Sequence, residues 1–186
     1  MIHLDHLTTT PPLPEVIDAM RPWHESHFGA AGSLHQLGLE ARDALDKARL
    51  RLAKLVNAAN PEEIIFTSNG TEAVNLAVKG AALANRRFGK HIVTTQIEHP
   101  AVLGSIAWLV EQGFERTQLS VDNQGRIDPA ALGQALRDDT ALVCLHHASH
   151  DLGTIQPIAE AARLTRERGI PLFVCLLYTS PSPRDS

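Results

Sequence analysis

Cysteine is scarce: Cys144 and Cys175 are the only two in 186 residues. That is too few for a disulfide framework and points to a reducing compartment. Basic residues are not in excess, and the net charge of -4 argues against a nucleic-acid binder held by phosphate neutralisation. No apolar run reaches the length that spans a bilayer. The opening MIHLDHLTTTPP has no basic region followed by an apolar one, so no secretory signal is expected. Neither a GxGxxG fingerprint nor a P-loop Gly-Lys-Ser/Thr occurs, which removes two common nucleotide cradles. Lysine itself is rare, limited to Lys47, Lys54, Lys79 and Lys90. What remains is ordinary globular composition, 44% apolar and 20% charged, long enough for one substantial domain. The expectation is a soluble, cytoplasmic protein.

What is present has a clear rhythm. Residues 1–32 read as an N-terminal arm and short helix: residues 1–13 extended and stiffened by Thr8-Thr9-Thr10-Pro11-Pro12, a helix from Pro14 to about Glu25, and a flexible joint over 26–32. A long helix is predicted over roughly 33–57, with Ser33-Leu34-His35-Gln36 in the form of a capping box. Its Leu34, Leu37, Ala41, Leu45, Ala48, Leu52 and Leu55 recur at three- and four-residue steps. From residue 62 strands and helices alternate. Strands are predicted at 64–67, 91–95, 114–120, 140–147 and 170–174, with helices at 71–88, 100–112, 128–137 and 157–168. This order implies an α/β fold with a mainly parallel sheet covered on both faces, with the α/β domain over 33–174. After Val174 the pattern fails. The proline- and serine-rich CLLYTSPSPRDS reads either as a disordered tail or as a stretch foreign to the fold.

Three strand ends carry candidate chemistry. Ser68-Asn69-Gly70-Thr71 joins a strand to a helix. It is either an ordinary capped turn or a phosphate cradle, with free N–H groups, the positive end of a helix and hydroxyl donors. His99, in Glu98-His99-Pro100, lies at the next such junction, as a helix cap or as an imidazole that stacks on a cofactor or moves protons. Ligands of open parallel sheets bind outside the carboxyl ends of the strands, so the two junctions face one crevice. The third group is His146-His147-Ala148-Ser149-His150-Asp151. A metal reading is disfavoured because neighbouring strand residues point to opposite faces, so no metal is expected. Cys144 fits a small core residue better than a nucleophile.

Taken in order, HLDHLTTTPPLPEV, HFGAAGSLHQLG, EEIIFTSNGTEAVNLAVKG, TTQIEHPAVL and HHASHDLGTIQPI resemble five segments of the cysteine desulfurases. These belong to the class V aminotransferase group of pyridoxal-phosphate enzymes of fold type I, and the likeness covers about residues 3–174. It implies the fold type I large domain, pyridoxal 5'-phosphate as cofactor and L-cysteine as substrate. Gly70 and Thr71 would bind the phosphate. His99 would stack on the pyridine ring and assist proton transfer. His150 would stand where the family commonly has a cofactor-contacting asparagine. A homodimer and a sulfur-acceptor or scaffold protein are implied for the complete enzyme, in iron–sulfur cluster assembly or another sulfur-donor pathway.

The departures matter as much. Ala30, Ala31 and Gly32 replace Asn-Pro-Ser, and Cys175 stands where the family places an aspartate against the pyridine nitrogen. No Ser-x-His-Lys stretch exists. The chain therefore reads as an N-terminal fragment of a desulfurase, inactive as written because the Schiff-base lysine is missing. The alternatives are a fragment of a class V aminotransferase or selenocysteine lyase, or a non-catalytic binding or pairing module of the same fold.

Overall fold

The computed structural model describes residues 10–149 and 151–176. The arm over 1–9, His150 and the tail from 177 lie outside the described residues. The chain divides after Phe66 into two compact units. Among the described residues, no helix is long and apolar enough to cross a membrane.

In the first unit, α1 (Pro14–Glu25) starts on proline and leaves Val16, Ile17, Met20 and Trp23 exposed. α2 (Gln36–Leu55) begins one residue after His35, whose Nδ1 accepts the Gly38 N–H at 3.3 Å. The capping box expected on Ser33 is thus replaced by a histidine cap. Gly29 packs so closely on this turn that a Cβ there would lie 2.1 Å from the Leu37 carbonyl oxygen. Arg42 Nε donates to the Ala31 carbonyl at 2.9 Å, tying the 29–33 loop to the helix.

The strand expected over 64–67 is not formed. A 3-10 turn, Pro61–Glu63, leads into unpaired extended chain. Ile65 is 67% exposed. Arg49 holds this segment by donating to the Ile64 carbonyl at 3.2 Å and lying over the Phe66 ring at 5.5 Å. An apolar β-branched run favours extended backbone, but a strand also needs a neighbour's ladder. Among the described residues none pairs with it.

The second unit is built on four parallel strands, β1 (His91–Thr95), β2 (Glu115–Leu119), β3 (Thr140–His146) and β4 (Leu172–Cys175), in the order β2-β1-β3-β4. The other four expected strands are present, 91–95 with the expected ends and the remaining three with ends moved by one or two residues. β1 and β3 are buried along their whole length, as central parallel strands require. β2 carries exposed Glu115, Arg116 and Gln118, a polar edge that discourages further pairing.

Helices cover both faces. α3 (Gly70–Asn85) and α4 (Pro100–Glu111) bring Val74, Val78, Val102, Ile106 and Leu109 against Ile92, Leu142 and Cys144. α5 (Pro129–Ala135) and α6 (Ile158–Glu167) bring Leu132 and Ala161 against Val93, Val143 and Leu145 on the other side. α5 starts as expected, on the Asp128 cap, whose Oδ1 accepts the Ala130 N–H at 2.9 Å, with Pro129 in the first turn.

Candidate functional site

α3 joins β1 through a short link, so its C-terminus lies where β1 begins. Sixteen residues at ~1.5 Å each carry its N-terminus back to the edge where the strands end. α4 starts at that same edge, four residues after β1. Gly70, Thr71 and His99 therefore all belong to the carboxyl edge of the sheet, where open α/β folds bind ligands.

The turn before α3 is organised by its own side chains. Asn69 Oδ1 accepts the Glu72 N–H at 2.9 Å. Glu72 Oε2 accepts both the Ser68 N–H and the Ser68 hydroxyl, each at 2.6 Å. Those two bonds hold the Glu72 carboxyl below its usual range, the hydroxyl contributing most. Ser68, expected as a phosphate donor, is thus committed to Glu72. The Gly70 and Thr71 N–H groups stand in the first turn, where no intrahelical acceptor exists. Among the described residues they have no recorded partner, nor has the exposed Thr71 hydroxyl. Two free N–H groups, a hydroxyl and the positive helix end match the donor set a phosphate monoester requires.

His99 is the cap of α4. Its Nδ1 accepts the Ala101 N–H at 3.1 Å, and the ring is half-buried. The helix-cap reading of this residue is thus present in the structure, and it engages Nδ1.

Behind His99 lies a buried polar chain that sequence reasoning passed over. Glu98, with a fully buried side chain, accepts at Oε1 from the Thr95 hydroxyl at 2.8 Å and faces His146 Nδ1 at 3.2 Å. His146 Nε2 is 3.3 Å from Gln156 Nε2. Gln156 is fixed by the backbone, its Oε1 accepting the Ile127 N–H at 3.0 Å and its Nε2 donating to the Gly125 carbonyl at 2.6 Å. Polar residues within apolar neighbours, Glu98 after Ile97 and Gln156 after Ile155, were the available signal. Among the described residues no group of three His, Cys, Asp or Glu side chains gathers as a metal site would require. A surface cleft along Arg126, Leu152 and Thr154 includes none of Gly70, Thr71 or His99.

The fold is a parallel α/β sheet whose strand ends meet the helix starts at Gly70 and Pro100. A family model described as "Aminotransferase class-V" matches residues 2–175. The chain belongs to the class V aminotransferase family, whose members depend on pyridoxal phosphate. It is 45% identical over 169 residues to a cysteine desulfurase IscS of Dictyoglomus turgidum, covering 91% of this chain and 43% of that protein. It is 44% identical to a cysteine desulfurase IscS of Methanosarcina thermophila, with 91% and 42% covered. A solved structure described as "SspA in complex with cysteine" superposes with a TM-score of 0.87 at 32% identity, covering 94% of this chain and 50% of that one. These likenesses agree with the expected fold type I architecture. The chain spans less than half the length of the curated relatives it matches.

Proposed function

We propose that this chain is the cofactor-phosphate and acid–base part of a cysteine desulfurase, an enzyme that converts L-cysteine to L-alanine and passes the sulfur to an enzyme thiol. The carrying observation is the pair of unpartnered N–H groups at Gly70 and Thr71, opening onto the strand edge from which His99 also starts. The Thr71 hydroxyl and the two N–H groups would hold the phosphate, and His99 would lie against the ring and move a proton at Nε2. His150, outside the described residues, would add a further donor. Bound there, pyridoxal phosphate supplies an electron sink for chemistry at the substrate α-carbon. The similar SspA structure is titled as a complex with cysteine, which supports L-cysteine as substrate. A homodimer, a sulfur-acceptor protein, a role in iron–sulfur assembly and a cytoplasmic location accompany this reading. The cofactor-binding part is taken as 33–174.

This reading takes the Schiff-base lysine from the part of the relatives that the chain does not cover. Lys79 lies over the Trp108 ring at 4.8 Å, about nine residues or ~14 Å along α3 from Gly70. Lys90 precedes β1, at the opposite edge of the sheet. Joining residues 1–174 to the C-terminal half of the Dictyoglomus turgidum relative tests the proposal. The expected product is a protein that binds pyridoxal phosphate and releases alanine from L-cysteine. A hybrid that binds the cofactor but acts only on selenocysteine or on amino-group acceptors would assign the chain to a lyase or aminotransferase instead.

A further inference from the structure

The buried chain behind His99 has a direction, and its backbone contacts set it. Gln156 accepts the Ile127 N–H and donates to the Gly125 carbonyl, so its amide cannot be reversed without losing both bonds. Its Nε2 must then donate its second hydrogen to His146 Nε2. That nitrogen is therefore the lone-pair nitrogen of the ring, and the proton sits on Nδ1, pointing at Glu98 Oε1. His99 has the opposite arrangement, because its Nδ1 accepts the Ala101 N–H. A neutral His99 carries its proton on Nε2. Adjacent segments thus hold two imidazoles in opposite tautomers.

We infer that Glu98, His146 and Gln156 are positioning residues for His99, a chain of oriented hydrogen bonds that locks the 95–99 junction and through it the His99 ring. This deepens the functional proposal and rests on its reading of His99 as the proton-moving group. Four segments meet in the chain: the end of β1 at Thr95, the Gly125–Ile127 loop, the end of β3 at His146, and Gln156 before α6. An apolar filling would hold these segments together without the desolvation cost of buried polar groups. What polar residues add is a single allowed geometry at the link next to His99. Glu98 Oε2, buried and without a partner among the described residues, shows that the carboxylate is held by its other oxygen alone. Its position depends on Thr95 and His146. Cys144 packs on the same side, its thiol pushed well up by burial first and by the Glu98 charge next.

The test is nuclear magnetic resonance on the 186-residue chain labelled with 15N-histidine, with His146→Gln and His146→Leu beside it. The parent chain should show His146 protonated at Nδ1 and bare at Nε2. Glutamine preserves a donor toward Glu98 and an acceptor toward Gln156, so His146→Gln should keep the His99 ring signals and the Ala101 amide protection. His146→Leu should shift the His99 ring signals and speed Ala101 amide exchange about tenfold or more. A His146 ring protonated at Nε2 would overturn the inference, as would a folded leucine variant with unchanged His99 and Ala101 signals. If the leucine variant fails to fold, the parent tautomer and the glutamine variant decide. None of these readouts needs turnover. A hybrid enzyme indifferent to loss of His99 would sink the functional proposal without touching this coupling.

Discussion

Thr71 presents a hydroxyl at a helix start where the neighbouring donors of Ser68 are already committed to Glu72. A hydrogen bond to a charged acceptor contributes about 1.5–3 kcal/mol. Thr71→Val in the hybrid enzyme should therefore weaken pyridoxal phosphate binding by roughly one to two orders of magnitude with little change in melting, measured by cofactor titration. Unchanged affinity would return the turn to the status of a plain helix cap. His99 should divide the other way. Losing its cap costs about 1 kcal/mol of stability, whereas losing an acid–base group costs roughly 10²–10⁴ in rate. His99→Gln should melt near the parent temperature and turn over at least a hundredfold more slowly, a loss of the kind expected for an acid–base group. At Ser68 the expectation concerns pH. Glu72 is held low by Ser68, so its contribution is present above the ordinary carboxylate range and fades as pH falls through the lowered value. Ser68→Ala should raise the Glu72 titration midpoint followed by 13C resonance.

His91 opens β1 and bonds across both neighbours, with Nδ1 2.9 Å from the Thr140 hydroxyl and Nε2 2.8 Å from the Thr117 hydroxyl. Burial is the main reason its pKa is lowered. The unfolded imidazole titrates near ~6.5, so the unfolded chain binds the proton first and stability falls as pH drops below that value toward the folded one. His91→Gln keeps two polar ends without titrating. It should flatten the loss of the urea midpoint between pH 7.5 and pH 5.5, whereas an equal loss in both proteins would assign the acid sensitivity elsewhere. Element starts were legible in the sequence where local chemistry decides them, as at Pro14, Pro100 and the Asp128-Pro129 pair. The strand over 64–67 was not, because pairing depends on a second segment. The caps on His35 and His99 divide instructively. Ser33 matched a pattern, but His35 reaches the free N–H. The Glu98–His146–Gln156 chain was invisible because its members are 48 and 10 positions apart, and only the fold brings them together.

At the scale of the whole molecule, three of the four lysines have a contact or position away from the helix starts: Lys47 pairs with Asp43 at 2.6 Å, Lys79 lies over Trp108, and Lys90 precedes β1. Adding pyridoxal phosphate and borohydride to the 186-residue chain should trap no stoichiometric adduct on Lys47, Lys54, Lys79 or Lys90. Peptide mapping that found one would reopen the question of where the reactive amine comes from. The strand order carries a further consequence, for synthesis. β1 is central, yet both strands that flank it come later in the chain, and His91 meets Thr140 across 49 positions. At roughly 5–20 residues per second on the ribosome, about fifty residues take some 2–10 s to follow. During that interval β1, buried along its whole length in the finished fold, has at most β2 beside it. Non-local parallel pairing is slow, so the nascent chain spends its youth with one bare, sticky edge, and chaperone dependence should track the delay between β1 and β3 more closely than final stability.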